Sequence, residues 1–515
     1  MIVEDQSAVF DFLSNPSSYG AGVQDVERLD THISAIFLAG DHVYKLKKAV
    51  KFPYLDFSTL ELRQRYCAAE LAVNKRTAPD LYERILAVTR QPDGAFELGG
   101  KGEVVDWLVV MHRFDQAGLF DALAMAGELK DELVDCLAGE IAAFHCRAEP
   151  RHLSSSALGI AETLAETSTR LADHGKDIFD QAVAGDLAKR SADIFDQVEG
   201  LLNERGAAGW VRHCHGDLHL RNICLFKGRP TLFDAIEFSD AFSNIDILYD
   251  LAFLLMDLEH RGLHSHANRL LNGYLGTIFS PEDQLRGLAA LPLFLSCRAG
   301  IRAHTGADSA KSQLQADKAK ELFAEARAYL SLAVDFLSPP LPRLIAVGGL
   351  SGSGKTTLAR RLAPELNPRP GAVILRSDVI RKEMVGVDAL TRLPPDEYSQ
   401  ESSRRVYDII LNRAGLALKA GYSVIVDAVF ARPDEREAIC ELARNAGVPF
   451  SGFWLQTPVA EMTRRLEART RDASDATPEV LLMQLAYELG EITWARVDST
   501  AKPDAVLAEA RRSLV

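Results

Sequence analysis

A chain of 515 residues is too long for one hydrophobic core, so roughly two to four folding units are expected, and 47% hydrophobic with 25% charged residues is the composition of an ordinary globular protein. The 72 acidic residues outnumber the 58 basic ones, and the net charge of −14 argues against broad attraction to nucleic-acid phosphates. Seven scattered cysteines without a C-x-x-C pair point to reducing cytoplasm, and with no signal peptide in Met1-Ile2-Val3-Glu4-Asp5-Gln6 and no apolar run near the ~18 residues of a membrane span, a soluble cytoplasmic protein without membrane partners is expected.

The first elements in chain order are a hairpin, Ile33 to Leu38 and His42 to Lys47 around Ala39-Gly40-Asp41, and a helix opening at Ser58, where Ser58 and Glu61 have capping-box spacing. Lys45 has apolar residues on either side, as a lysine aimed at ATP phosphates would, and Glu70 in the following helix is its candidate partner. Lys47, Lys48 and Lys51 also allow the reading of a generally basic hairpin. Strand-like runs at Ile85 to Thr89 and Val104 to Phe114 follow, and Met111 near the end of the second is a candidate adenine-reading hinge. The chain then turns to helical periodicity, broken only around residues 211–238, which predicts a small β-rich lobe before a mainly helical one.

In that interruption, His215-Gly216-Asp217-Leu218-His219-Leu220-Arg221-Asn222 has the aspartate–asparagine spacing of a kinase catalytic loop, which makes Asp217 the candidate base and Asn222 a candidate Mg²⁺ ligand. Ile223 to Phe226 and Thr231 to Phe233 read as a hairpin. A turn centred between Gly228 and Arg229 would set Asn222 opposite Ala235, with Asp234 beside it as the second metal-binding oxygen. The competing reading is zinc held by His213, Cys214, His215 and His219, which lacks a second spaced ligand pair. Through His215-Gly216-Asp217, Asn222 and Asp234, residues 30–335 resemble the aminoglycoside-phosphotransferase-like branch of the protein-kinase fold. The resemblance implies a structural role for Asp246 and Asp250. Departures are the missing Gly-x-Gly-x-x-Gly loop and the replacement of Asp-Phe-Gly by Asp234-Ala235-Ile236-Glu237.

Ser338-Pro339-Pro340-Leu341-Pro342 cannot continue a helix, and a semi-rigid spacer between separately folding units, 1–338 and 339–515, is expected there. Beyond it, Leu344 to Val347, Val373 to Leu375, Val424 to Val426 and Phe453 to Leu455 are short apolar runs between helix-like segments, the pattern of a parallel α/β sheet. The first strand opens into Gly349-Leu350-Ser351-Gly352-Ser353-Gly354-Lys355-Thr356, a phosphate-cradling P-loop. Gly349, Gly352, Ser353, Gly354, Lys355, Thr356 and Thr357 are its candidate nucleotide ligands, and Thr356 would ligate Mg²⁺ together with Asp427 at the end of a core strand. Asp378 and Arg381, after the second strand, are candidates for accepting a hydroxyl proton and holding an anionic substrate group. Arg465 and Arg469 lie four apart on a predicted helix, either as a lid over the transferring phosphoryl group or as a solvated basic face.

These motifs make residues 343–515 resemble the small-molecule P-loop kinases related to zeta toxins, gluconate kinase and the kinase domain of phage polynucleotide kinase. The resemblance implies that Asp378 deprotonates the acceptor and that Arg465 and Arg469 clamp phosphates. The expectation is a two-domain α+β and α/β protein with two ATP- and Mg²⁺-dependent kinase sites for small-molecule hydroxyl acceptors, acting in succession on one metabolite. Its rivals are a single P-loop kinase carrying a regulatory nucleotide-binding domain, and a P-loop ATPase switch.

Overall fold

The structure, a computed structural model, describes residues 4–52, 55–388, 390–468 and 474–514. The chain divides into two compact units, Met1–Ser154 with Arg205–Leu254 and Ser155–Glu204 with Leu255–Val515.

The first unit is built on six antiparallel strands in the order Val26–Asp30, Ser34–Ala39, His42–Lys47, Glu103–His112, Tyr82–Arg90 and Phe96–Leu98. Alternation gives each strand two faces, and both are covered. Ala35, Phe37 and Leu46 pack with Val9 and Leu13 of helix Ser7–Ser14, while Leu38, Val43, Val109 and Met111 pack with Cys67 of helix Leu60–Asn74. Burying each large apolar side chain contributes roughly 1.5–3 kcal/mol. Helix Leu60–Asn74 differs from the expectation in its cap: Thr59 accepts from the Leu62 amide at 3.3 Å, while the Ser58 hydroxyl turns to Asp56 at 2.5 Å. Its buried face, Arg63, Cys67, Glu70 and Asn74, follows helical spacing but is mostly polar.

The hairpin after Asn222 pairs Ile223–Phe226 with Arg229–Leu232, in a register that sets Phe226 opposite Arg229. The turn therefore centres on Lys227 and Gly228, not between Gly228 and Arg229, and Asn222 lies opposite Phe233, whose amide donates to its carbonyl at 3.0 Å. Lys227 at φ 49° and Gly228 at φ 77° explain the shift, because a two-residue turn with both φ values positive matches the twist of the flanking strands. The slip is by two residues on the second strand, so each side chain keeps its face and Asp234 still follows the hairpin.

In the second unit, five parallel strands lie in the order Val373–Arg376, Val424–Asp427, Leu344–Gly348, Phe450–Gln456 and Ala495–Asp498. Four match the apolar runs of the sequence. The fifth, at a sheet edge, buries only Val497, so it carries no apolar run to detect. The opposite edge strand is covered from helix His264–Leu275. Asn268 and Asn272 each donate to the Ala372 carbonyl at 3.0 Å, and the Asn272 side-chain oxygen accepts from the Ile374 amide at 2.7 Å. These bonds satisfy backbone groups that an open edge would expose. Residues Ser338 to Pro342 do end helix Ala316–Phe336 before strand Leu344–Gly348, but that break lies inside the second unit. Among the described residues, no helix is long and apolar enough to cross a membrane.

Candidate active sites

Strand His42–Lys47 directs Val43, Lys45 and Lys47 to the face that meets helix Leu60–Asn74. Lys45 Nζ lies 2.8 Å from Glu70 Oε1 and 2.5 Å from Asp234 Oδ1, so the expected pair forms and the metal-candidate aspartate joins it. Glu70 is fully buried: burial pushes its carboxyl up, but Lys45 and Lys47 outweigh that and bring it down to about 2. Asp234, by contrast, keeps 43% of its side chain exposed and can reach a ligand. It sits at φ 60°, an unusual conformation for a residue other than glycine, held by its amide's bond to Tyr82 Oη at 3.2 Å and by the Ala235 amide's bond to Asn74 Oδ1 at 2.8 Å.

Asn222 Nδ2 donates to the Asp217 carboxylate and to its carbonyl, both at 2.9 Å, so the candidate base and the candidate metal ligand are in direct contact. Asp217 keeps 38% of its side chain exposed. The loop beneath is pinned from below, because Asp250 accepts from the His215 amide at 3.1 Å and the Gly216 amide at 2.8 Å, with His145 Nε2 3.0 Å away. Asp246 is held in a two-point pair with Arg205 at 2.6 and 2.8 Å. Asp250 thus holds the loop backbone, and Asp246, which also accepts from the Leu248 amide at 2.8 Å, is occupied in a structural pair. Met111 is buried in the core, paired with Val43 and Tyr82 near the end of its strand.

The zinc alternative does not assemble. His215 Nε2 faces the Phe233 carbonyl at 2.9 Å, Cys214 Sγ donates to the Ile245 carbonyl at 3.4 Å, and His219 Nε2 lies 3.4 Å from Asp217. Of the four residues only Cys214 lies in a tight group, with His145 and Asp250, and burial together with Asp250 pushes its thiol well up, away from the thiolate a metal needs.

In the second unit the P-loop joins strand Leu344–Gly348 to helix Lys355–Leu362. Gly349, Gly352 and Gly354 all have positive φ, at 142°, 82° and 98°. A Cβ at Gly352 would stand 2.7 Å from the Met462 carbonyl, so the loop packs too closely on its neighbour for any other residue, and a glycine-rich loop leading into a helix start fits a nucleotide phosphate. Lys355 Nζ donates to the Leu350 carbonyl at 3.1 Å, Thr356 Oγ1 donates to Asp427 at 2.6 Å, and Thr357 is exposed one residue on. Thr356 and Asp427 are thus a hydroxyl and a carboxylate oxygen side by side, suited to Mg²⁺. Ser353 Oγ is buried without a hydrogen bond, and the Ser353 carbonyl accepts from Ser499 Oγ at 2.7 Å.

Asp378 opens helix Ser377–Val385 and is half-buried; burial, then the neighbouring Asp427, push its carboxyl up, against Arg376 and Lys355. Arg381 is committed to the first turn of helix Gln400–Lys419 and the turn ahead of it: it donates to the Glu397 carbonyl at 2.6 Å and to Ser402 and Ser403 at 3.2 Å, and lies 4.9 Å over the Tyr398 ring. Arg465, on helix Val459–Glu467, donates to the Ser353 carbonyl at 3.4 Å and the Ser499 carbonyl at 2.7 Å, so it braces the P-loop from behind. Arg469 lies outside the described residues.

Sequence reasoning missed Lys47, Glu237, Arg376 and Gln484. Arg376 Nε lies 3.5 Å from Asp427, its partner in the parallel register, and that pairing was readable once the strands were aligned. Gln484 Oε1 accepts from the Ser351 amide at 2.8 Å across 133 residues, and no local pattern signals it.

The second arrangement defines the class of its domain, a P-loop domain of the kinase type, and the first is a separate cluster of charged side chains on the same chain. The family model described as an AAA domain (AAA_33) matches residues 344–488. The chain is 30% identical over 486 residues to the uncharacterized protein Rv2004c of Mycobacterium tuberculosis (strain ATCC 25618 / H37Rv), covering 92% of each, and it belongs to that protein's family. An adenylyl-sulfate kinase of Myxococcus xanthus (strain DK1622) is 32% identical over 142 residues, 28% of this chain and 69% of the relative. Among solved structures, a choline/ethanolamine kinase family protein from Mesorhizobium loti is similar at 14% identity and a TM-score of 0.34, covering 64% of this chain and 98% of that one.

Proposed function

We propose that the chain is a bifunctional phosphotransferase that uses ATP and Mg²⁺ to phosphorylate hydroxyl groups of small molecules, with one site in a kinase-like domain, 1–338, and one in a P-loop domain, 339–515. The observation that carries the reading is Lys45 Nζ lying between buried Glu70 and open Asp234, because a P-loop is already phosphate-binding by its backbone whereas the first site needs this side-chain set. In the first domain Asp217 would take the proton of the acceptor hydroxyl, oriented by the Asn222 amide, and Asn222 and Asp234 would offer oxygens to the metal. Mg²⁺ supplies neutralisation of the phosphate charge. In the second domain the P-loop amides and Lys355 would hold phosphates, Thr356 and Asp427 the metal, and Asp378 the acceptor hydroxyl. The upward push on the Asp378 carboxyl brings it closer to the strength a general base needs near neutral pH.

Labelled ATP and a cytoplasmic small-molecule extract, supplied to the full chain and to its Asp217→Asn and Asp378→Asn variants, test the reading: each variant is expected to lose one class of labelled product. No labelled product with either the parent or the variants would overturn it.

A second reading makes the first domain a nucleotide-binding regulator. It is favoured by the short connection Thr31-His32-Ile33 between strands Val26–Asp30 and Ser34–Ala39, which has no glycine where a phosphate-covering glycine loop would stand. ADP release from a chain with Lys355→Ala, measured with and without the extract, separates the two: acceptor-dependent release supports an enzyme, and its absence supports the regulator.

A further inference from the structure

The first site holds two lysines where a kinase site needs one. Lys47 is 1% exposed, with Nζ 2.6 Å from Glu70 Oε2 and 2.5 Å from Glu237 Oε1. Its ammonium also lies 4.8 Å from the centroid of the buried Phe57 ring. Lys45 takes the other Glu70 oxygen at 2.8 Å and Asp234 at 2.5 Å. The charges therefore alternate along one chain of contacts: Asp234, Lys45, Glu70, Lys47, Glu237.

A nucleotide phosphate and a divalent cation entering this site would compete for both ends of the Lys45–Asp234 pair. Once Lys45 moves toward phosphate, Glu70 would be left as a fully buried carboxylate without a counter-charge, which a protein interior strongly disfavours. Lys47 removes that difficulty, since it touches the second oxygen of Glu70 and is too deeply buried to reach a ligand itself. It also holds Glu237, three residues after Asp234, while Asn74 holds the Ala235 amide from the same helix that carries Glu70. The segment bearing the metal-candidate aspartate is thus tied to the strand through Lys47 and to the helix through Asn74.

We infer that Lys47 is a positioning residue: it is the permanent counter-ion of Glu70 and, through Glu237, the tether of residues 234–237, so that Lys45 and Asp234 are free to exchange each other for phosphate and Mg²⁺. The inference rests on the phosphotransferase reading of the first site. Burial works against charge on Lys47, but Glu237 and Glu70 outweigh it and hold the ammonium above its ordinary range, as a resident cation requires.

The test uses the full chain carrying Lys355→Ala, which silences the P-loop, with calorimetric titration of a non-hydrolysable ATP analogue over a range of Mg²⁺ concentrations. Glu237→Gln keeps Lys47 paired with Glu70 and is expected to fold, to raise the Mg²⁺ concentration needed for half-maximal binding about tenfold, and to leave binding without Mg²⁺ unchanged. Lys47→Met is expected to raise the Mg²⁺ requirement further, and Lys47→Arg to restore part of the loss. A fold defect alone would weaken binding at every Mg²⁺ concentration alike. If Glu237→Gln and Lys47→Arg bind with the parent's affinity and Mg²⁺ dependence while Lys45→Met loses binding, the inference fails and the phosphotransferase reading stands. If Lys45→Met also binds as the parent does, the reading itself fails. Should Lys47→Met not fold, Glu237→Gln decides.

Discussion

The two proposed sites would deal with phosphate by opposite means. In the P-loop the work would fall to backbone: three glycines at positive φ and the start of helix Lys355–Leu362 form the loop, and one hydroxyl–carboxylate contact at 2.6 Å, Thr356 with Asp427, would prepare the metal position. In the first site the work falls to side chains, with Lys45, Glu70, Asp217, Asn222 and Asp234 drawn from positions up to 189 residues apart, as in the Lys45–Asp234 pair. A backbone cradle depends on its glycines and on few side chains, Lys355 first among them, whereas a lattice of buried charges depends on every member. The first site should therefore respond to substitution over a wider set of residues.

The largest expected effect is at Asp217. Asp217→Asn keeps the shape and removes the base, so turnover at the first site should fall by ~10²–10⁴ while nucleotide affinity is kept. Asp234→Asn should instead weaken Mg²⁺-nucleotide binding. Steady-state kinetics beside equilibrium binding checks both, and identical behaviour of the two variants would contradict the division of roles.

Lys355→Ala should reduce transfer at the P-loop site by ~10²–10³, the scale of removing one preorganised donor. Its melting temperature should stay close to the parent's, because Lys355 stands at a loop–helix junction outside the core. A collapse in stability would show that the cradle is not a self-sufficient backbone structure.

A smaller effect sharpens the comparison from the packing side. Asn272→Ala removes the partner of the Ile374 amide and one donor to the Ala372 carbonyl, and should cost about 1–3 kcal/mol, read by denaturant unfolding. A fragment of residues 339–515 lacks both asparagines, leaves strand Val373–Arg376 as an open edge, and should aggregate more readily than the full chain, counter to the expectation from the prolines alone. Equal solubility of fragment and chain would show that the edge needs no cover.

The smallest effect is on pH dependence. Burial, then Arg170, hold His304 down to about 4 from an ordinary value near 6.5. The unfolded chain takes up that proton first, so this residue's contribution to stability is intact above about pH 6.5, declines as pH falls to about 4, and is constant below. His304→Gln should flatten that part of the stability profile of the second unit; an unchanged slope would assign it elsewhere.

Much of the P-loop domain was legible because its signals are local. Four of its strands contain a short apolar run, and the glycine pattern sits in its proper strand-to-helix context. The edge strand Ala495–Asp498 was not legible, since half of it faces solvent and its residues alternate in polarity. In the first domain Asp217, Asn222 and Asp234 were readable from one short segment, and even a two-residue error in the hairpin register left them together. What could not be read was Lys47 with Glu237: one lysine among four on a basic hairpin gives no sign that it alone is buried, and the helix it meets hides a charged face where hydrophobic periodicity finds nothing. The side-chain commitments of Arg381 and Arg465 were equally invisible, because spacing places an arginine on a face but does not choose its partner.

The central claim is that one chain carries two independent nucleotide sites of different construction. Calorimetric stoichiometry of a non-hydrolysable ATP analogue with Mg²⁺ tests it most directly: about two equivalents per full chain, about one in Lys355→Ala, about one in Lys45→Met and none in the double variant are predicted. A single equivalent in the parent, or two retained in Lys45→Met, would contradict it.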